Sequence, residues 1–134
     1  MVPPAWLPVH RPDDDELVGY LVPDGADDVV VPTTLLGTPL AAAMPGDEAR
    51  QLLGAEGLRA VDGRWWCRLP AVLPRGLLSA ARPEEHWSWR PVVVVEASPV
   101  GCRVRPEWPA PEERGGQALL PVPVGTLLTS EPQR

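Results

Sequence analysis

The fold is decided by the stretch Pro91-Val92-Val93-Val94-Val95-Glu96-Ala97-Ser98-Pro99-Val100-Gly101-Cys102-Arg103-Val104-Arg105. Four consecutive valines favour a strand that is covered on both of its faces. Residues 98–101 have the composition of a turn. After the turn, apolar residues alternate with arginine, so that Cys102 and Val104 lie on one face of a return strand and the arginines on the other. The stretch therefore predicts an antiparallel β-hairpin.

Shorter elements are predicted before this hairpin. Residues 17–22 and residues 29–34 form two strands that pair antiparallel after a Pro-Asp-Gly turn. Residues 47–56 form one short helix, since acidic residues in its first turn suit the helix dipole. Residues 64–69 combine bulky aromatic residues with alternating arginine and are predicted as a further strand.

Two less regular segments lie in the second half of the chain. Residues 77–81, with the sequence Leu-Leu-Ser-Ala-Ala, are predicted to form a helical turn. Residues 119–124 contain alternating prolines, which leave one side of a strand unable to donate hydrogen bonds. This segment is therefore predicted as the last, edge strand, which a strand from a partner could complete.

The predicted fold class is α+β, a mainly antiparallel sheet or a small partly open barrel with one short helix packed on it. The length of 134 residues fits a single domain, and the 19 prolines keep helices and central strands short. We expect this domain to span residues 1–134. It begins with an extended lead-in over residues 1–15, contains a surface loop over residues 106–117 and ends in a frayed tail over residues 129–134.

The composition indicates the source and limits the function. The chain has no Phe, Ile, Asn or Lys, and all 12 basic residues are arginine, as expected of a GC-rich bacterial genome. The net charge is −6, and residues 1–67 hold 11 acidic residues and 4 arginines, which gives −7. This acidity argues against nucleic-acid binding and against binding to anionic membranes. Without a long apolar run or a signal-peptide pattern, a cytoplasmic location is predicted.

Sequence motifs for catalysis and metal binding are missing. There is no HExxH, CxxC, GxSxG, Walker or GxGxxG pattern, so that no catalytic residue, metal site or cofactor is predicted. The acidic run at residues 13–16 lacks the alternating spacing of a calcium loop and is interpreted as a solvated loop. Cys67 and Cys102 alternate with core residues and are predicted as free, buried thiols, with a bridge between them left open.

The tryptophans and the arginines beside them are the best candidate binding residues. The set comprises Trp66, Trp87, Trp89, Arg64 and Arg90. On a strand, Trp66 faces away from its neighbour Trp65, whereas Trp87 and Trp89 share a face. Trp and Arg are common anchors of protein interfaces, and aromatic rings also stack on sugars or bases. With Phe and Ile absent, the same tryptophans can instead supply core volume.

These observations favour a small protein-binding or self-associating module without catalytic activity, whose partner is another protein or a second copy. The alternative is a small enzyme or ligand-binding protein. Its pocket would lie between the helix at residues 47–56 and the sheet, near His10, Asp13 and His86. A third, weaker hypothesis is a nucleic-acid-binding stripe formed by Arg90, Arg103 and Arg105.

One resemblance covers most of the chain. Its residues are Trp6, His10-Arg11-x-Asp13-Asp14, Glu16-Leu17-x-Gly19-Tyr20-Leu21-x-Pro23-x-Gly25, Val31-Pro32-x-Thr34-Leu35-x-Gly37-x-Pro39-Leu40 and Val95-Glu96-Ala97-Ser98-Pro99. This pattern resembles a group of short uncharacterised proteins of GC-rich Gram-positive (actinobacterial) bacteria. The resemblance implies a source but no activity and no catalytic residues. Leu36 stands where the group's pattern implies an aromatic residue, a difference that concerns core packing.

Overall fold

A computed structural model describes residues 1–133 of the chain. The chain divides into two compact units, of which the first comprises Met1–Asp62 and the second begins at Gly63. Within the described residues there are one α-helix and ten strands, and the strands form two separate, mainly antiparallel sheets. The α+β class with one short helix is confirmed, and the sheets are open rather than closed into a barrel. A single domain over residues 1–134 stays a prediction.

A four-stranded antiparallel sheet forms the first unit. Its strands follow the chain in the order β1-β2-β3-β4. They are β1 (Leu7–His10), β2 (Leu17–Pro23), β3 (Val29–Thr33) and β4 (Met44–Pro45). The two strands predicted at residues 17–22 and 29–34 are therefore confirmed, together with their antiparallel pairing. Strand β1 lies within the predicted lead-in and pairs with β2, where Val9 is buried.

The predicted helix is confirmed as α1 (Gly46–Glu56). Asp47 and Glu48 lie in its first turn, where the positive end of the helix dipole favours carboxylates. At its end, the backbone N–H of Gly57 donates to the carbonyl oxygen of Leu53 at 2.8 Å. The helix buries Leu53 and Ala49 against the sheet, in a cluster with Val9, Val18 and Leu21.

A six-stranded sheet forms the second unit, in the order β10-β5-β7-β8-β9-β6. Its strands are β5 (Trp65–Leu69), β6 (Gly76–Ser79), β7 (Ser88–Ser98), β8 (Gly101–Pro106), β9 (Gly116–Leu120) and β10 (Leu128–Thr129). All neighbours are antiparallel except β6 and β9, which are parallel. The hairpin predicted at residues 91–105 is confirmed as β7 and β8. Strand β5 confirms the prediction for residues 64–69.

The prediction of a helical turn at residues 77–81 is wrong. This segment contains β6, which is paired with β9. The backbone N–H of Gly76 donates to the carbonyl oxygen of Gly115 at 3.3 Å, and the N–H of Ala80 donates to that of Leu119 at 2.8 Å. A short segment without helical periodicity takes its conformation from such long-range pairing rather than from its own propensity.

The prediction of an edge strand at residues 119–124 is also wrong. Strand β9 ends at Leu120 and lies inside the sheet, between β8 and β6. Residues 121–124 form no strand, although Val122 and Val124 are buried. The alternating prolines therefore end the strand, because neither can donate to a ladder. Within the described residues, the edges of this sheet are β6 and β10.

One face of the second sheet carries the core of its unit. Residues directly opposite each other on paired strands share a face, and the register therefore places the buried side chains on one side. That inner face includes Cys67, Leu69, Val92, Cys102, Val104, Ala118, Leu120 and Leu128. The prediction that the four valines are covered on both faces is wrong, because Val92 is buried but Val95 is 42% exposed at a bulge.

Candidate functional site

The opposite side of the second sheet, called the outer face below, is the candidate site. The side chains that the register places there include Trp66, Arg68, Leu77, Trp89, Pro91, Val93, Glu96, Arg103, Arg105, Gln117 and Leu119. Each of these is half-buried or exposed, whereas the core side chains of the inner face are buried. A sheet face with two tryptophans, aliphatic side chains and arginines is thus open to a ligand or partner.

An aromatic region lies at the β5 and β7 end of the outer face. Trp66 is opposite Pro91 across the strands, and Arg68 is opposite Trp89. The Nη2 of Arg68 donates to the carbonyl oxygen of Glu84 at 2.9 Å, so that this guanidinium is held beside the chain that leads into β7. An open concavity of about 480 Å³ lies at this position, lined by Arg68, Trp87, Ser88, Trp89 and Gln133.

A polar and aliphatic region continues across β8 and β9. Arg103 pairs with Glu96, and its Nη1 donates to the Oε1 of Gln117 at 3.3 Å. Arg105 is exposed, and its Nη1 donates to the carbonyl oxygen of Pro106 at 3.2 Å. These polar groups have partners within the second unit and lie between aliphatic side chains.

The structure brings together only part of the predicted binding set. Trp66 and Trp89 lie on the outer face as half-buried side chains, and Trp87 is buried beside Trp89 in the wall of the concavity. Arg64 is held in an ion pair with Glu107, in which its Nη2 donates to Oε1 at 2.9 Å.

Arg90 lies on the opposite face from Trp89. It is opposite Cys67 across the strands, on the inner face. Its guanidinium binds the buried carboxylate of Glu113, with Nη1 to Oε2 at 2.8 Å. It also donates to the carbonyl oxygen of Pro70 at 2.9 Å. Arg90 is therefore part of the architecture rather than of the exposed surface.

The sequence interpretation missed two residues. Arg68 belongs to the outer face, and the alternation along β5 that places Trp66 there places Arg68 there as well. Glu113 lies in the segment predicted as a surface loop, yet its side chain is 1% exposed. The sequence carries no signal of this burial, because Glu113 lies between two other charged residues, Glu112 and Arg114, which are exposed.

The residues of the alternative site are distributed over both units. A groove of about 360 Å³ in the first unit is lined by the end of β1 and by α1, through Val9, His10, Arg11, Pro12, Arg50, Gln51 and Gly54. Asp13 is not among these residues, and the neighbouring Asp14 accepts two hydrogen bonds from Arg11. His86 lies in the second unit with its Nε2 3.6 Å from Glu84. Among residues 1–133, no three His, Cys, Asp or Glu side chains form a metal-binding group.

The two cysteines are confirmed as free and buried. Both lie on the inner face, and β7 separates their strands. Burial raises the pKa of Cys67 to about 12 and the pKa of Cys102 to about 11, with the charge of Cys102 adding to the effect on Cys67. Thiols with such pKa values are poor nucleophiles at neutral pH.

Comparison with known proteins gives no match, whether to a family model, to a curated protein or to a solved structure. No helix within residues 1–133 has the length and apolar character needed to span a membrane. The surface geometry of the two units is therefore the basis on which a function is proposed.

Proposed function

We propose that this chain is a cytoplasmic protein-binding module without catalytic activity, and that the outer face of the second sheet is its contact surface. The observation that carries the proposal is the pair of half-buried tryptophans, Trp66 and Trp89, on one open sheet face beside Arg68. Trp and Arg are enriched among the residues that dominate interface energies. The partner is another protein or a second copy of this chain.

The energetic argument concerns the apolar area that remains in water. Trp66, Trp89 and Leu119 leave apolar area on the outer face, and burying such area contributes about 25 cal/mol per Å². The polar groups beside them, such as Arg103 with Glu96, already have partners within the face. Arg68 and Arg105 on the same face have no carboxylate partner among the described residues, so that a protein partner covers this surface without leaving a buried charge unpaired when it supplies carboxylates to these two residues.

A nucleic-acid partner is disfavoured by the state of the arginines. Of the three residues in the predicted stripe, Arg90 is bound to Glu113 on the inner face and Arg103 is paired with Glu96. Within this stripe, Arg105 alone is exposed and has no carboxylate partner among the described residues. Release of counterions from a phosphate backbone needs several free positive charges, and the whole chain has a net charge of −6.

The test compares two single tryptophan substitutions in the full chain. Trp89→Ala removes a ring from the outer face, whereas Trp108→Ala removes a ring that is 73% exposed outside the strands. Each tagged protein is incubated with lysate of the organism that encodes it, and native mass spectrometry then measures what is retained. We expect a stoichiometric protein partner on wild type and on Trp108→Ala, and at least tenfold less on Trp89→Ala.

A second variant separates lost binding from lost folding. Leu119→Glu places a carboxylate on the outer face of β9, where the leucine is already exposed, and leaves the inner face intact. We expect the same loss of the partner with an unchanged circular dichroism spectrum. Equal retention by all variants, or no retained protein and no dimer with the wild type, would overturn the proposal.

A ligand-binding function is the second candidate, and the groove beside His10 favours it. The groove combines His10 with Arg50, which makes no ion pair with any carboxylate of residues 1–133. Such a lining suits a small carboxylate or phosphate. Ligand-detected NMR with a set of small carboxylates and phosphates tests this function, and binding should be lost in Arg50→Ala but kept in the control Arg59→Ala.

A further inference from the structure

Strand β6 (Gly76–Ser79) presents a free backbone edge. The N–H of Gly76 and the N–H of Ala80 both donate toward β9. In a parallel pair, alternate residues bond to the same neighbour, so that the N–H and C=O groups of Leu77 and Ser79 point away from β9. Within the described residues no further strand lies beyond β6. The edge therefore offers the unpaired N–H and C=O groups of two residues.

Of the features that usually prevent strand addition, this edge has only its shortness. Natural edge strands are blunted by short length, charged side chains, prolines or bulges, and β6 is four residues long. Strand β6 has the sequence Gly-Leu-Leu-Ser, pairs with β9 in continuous register, and leaves Leu77 55% exposed. An unprotected apolar edge is the kind of surface to which an extended peptide adds as a further strand.

The charges around β6 indicate what kind of peptide fits. Arg75 immediately precedes the strand and Arg82 follows it by three residues. Both are exposed, and neither makes an ion pair with any carboxylate of residues 1–133. An apolar edge with a free positive charge near each end is complementary to a segment with an apolar middle and acidic ends.

A second copy of the chain is a poor occupant of this edge. In a two-fold antiparallel pairing, Leu77 of one copy would be opposite Ser79 of the other, because these residues carry the free backbone groups. That register brings Arg75 of one copy within one residue of Arg82 of the other. Like charges at such positions destabilise the pairing.

We propose that β6 receives, by strand addition, an extended peptide segment of a partner protein that has an apolar middle and carboxylates at both ends. The inference rests on the proposed protein-binding function and specifies the chemistry of the partner. Backbone hydrogen bonds to Leu77 and Ser79 hold the segment, and Arg75 and Arg82 select its acidic ends.

Synthetic peptides test the charge rule with the full-length chain. The probe is fluorescein-labelled Asp-Asp-Val-Thr-Val-Asp-Asp, and the matched peptide carries lysines in place of the four aspartates. Fluorescence anisotropy at low salt should give at least tenfold tighter binding of the acidic probe. The double variant Arg75→Glu with Arg82→Glu should reverse the preference. Equal binding of both peptides, or no binding of either, would overturn the inference.

Backbone pairing is tested separately from charge. Ser79→Pro and Ser79→Ala both remove the hydroxyl, which accepts the N–H of Ala81 at 3.5 Å. Ser79→Pro in addition removes an N–H that faces away from β9, and proline is tolerated at such edge positions, whereas Ser79→Ala keeps that N–H. We expect at least a tenfold loss of binding for the proline variant and none for the alanine variant. A probe N-methylated at alternate residues, which needs no protein variant, should also bind at least tenfold more weakly. Undiminished binding of the N-methylated probe would contradict strand addition.

These outcomes are distinct from those of the Trp89 experiment. If a partner is captured in a Trp89-dependent way but the probe does not bind, the proposal for the β6 edge is overturned and the proposal for the outer face is supported. If the probe binds in a way that depends on Arg75 and Arg82 but Trp89→Ala does not change capture, the proposal for the β6 edge is supported and the proposal for the outer face is overturned. A dimer that is abolished by Ser79→Pro would assign the edge to a second copy and overturn the peptide inference.

Discussion

Arg90 and Glu113 form a bidentate ion pair at the core of the second unit, with Nη1 to Oε2 at 2.8 Å and Nη2 to Oε1 at 2.9 Å. The Glu113 side chain is 1% exposed, and that of Arg90 is 18% exposed. The carboxylate also accepts the N–H of Leu73 at 2.7 Å and the N–H of Ala110 at 3.0 Å. One buried side chain thus connects β7 to two irregular segments of the chain.

Removing this carboxylate should strongly destabilise the second unit. Glu113→Ala removes the only carboxylate paired with the guanidinium of Arg90 among the described residues and leaves the N–H groups of Leu73 and Ala110 without that acceptor. Breaking one partner of a buried pair costs about 3–5 kcal/mol of unfolding free energy. Urea unfolding followed by tryptophan fluorescence measures the loss, with Glu112→Ala, an exposed neighbour, as the control. An equal, small effect of both substitutions would contradict the assigned role of Glu113.

The same ion pair predicts a pH dependence of stability. The hydrogen bond from Arg90 is the main cause that lowers the pKa of Glu113 from 4.5 to about 2, against the opposing effect of burial. Because the folded pKa lies below the unfolded one, the stabilisation is fully present above pH 4.5 and is lost as the pH falls toward 2. Urea midpoints measured across this range should fall more steeply for wild type than for Glu113→Gln. Parallel profiles would show that the carboxylate is not the titrating group.

Two glycines near the end of α1 should respond to alanine in opposite directions. A Cβ on Gly54 would have no neighbour within 4 Å, so that Gly54→Ala should raise the unfolding free energy by about 0.5–1 kcal/mol. A Cβ on Gly57 would lie 2.3 Å from the carbonyl oxygen of Val18, and overpacking of this kind costs about 1–3 kcal/mol. Urea unfolding followed by circular dichroism at 222 nm compares the two variants. A stabilising Gly57→Ala would refute this close approach of backbone to backbone.

The elements with local signals were predictable from the sequence. Helix α1 has acids at its start and leucine and alanine at helical spacing, and the β7–β8 hairpin has a turn between two alternating segments. Strand β6 has no such signal, because it is formed by parallel pairing with β9, which lies about forty residues later. The prolines after Leu120 were interpreted as marking an edge strand, but they end a strand that has neighbours on both sides.

The candidate site was predictable where strand alternation applies. Alternation places Trp66 and Trp89 on one face once their strands are paired. Arg90 follows Trp89 directly, and the same period of two places it on the opposite face. The burial of Glu113 had no signal in the sequence, because only the folded chain brings it to Arg90.

The hydroxyl of Tyr20 predicts an unusual gain in stability. This atom is buried and has no hydrogen-bond partner among the described residues, and burial raises the pKa of the phenol. Removing an unsatisfied buried group relieves its desolvation cost, so that Tyr20→Phe should raise the unfolding free energy by about 1 kcal/mol. The control is Thr33→Val, because the hydroxyl of Thr33, opposite Tyr20, donates to the carbonyl oxygen of Val31 at 3.1 Å. Thr33→Val should lose stability, and a loss for Tyr20→Phe as well would reveal a partner for the phenol.

The two thiols should be unreactive in the folded chain. Burial raises the pKa of Cys67 to about 12 and that of Cys102 to about 11, and both side chains are enclosed on the inner face. At pH 8, reaction with a disulfide reagent such as DTNB requires a thiolate that is accessible. We expect both thiols to react at least a hundredfold more slowly in the native chain than in guanidinium. Because only opening of the second unit exposes them, Glu113→Ala should accelerate the reaction of both. Fast labelling of one cysteine in the stable wild type would show that its part of the inner face is open to solvent.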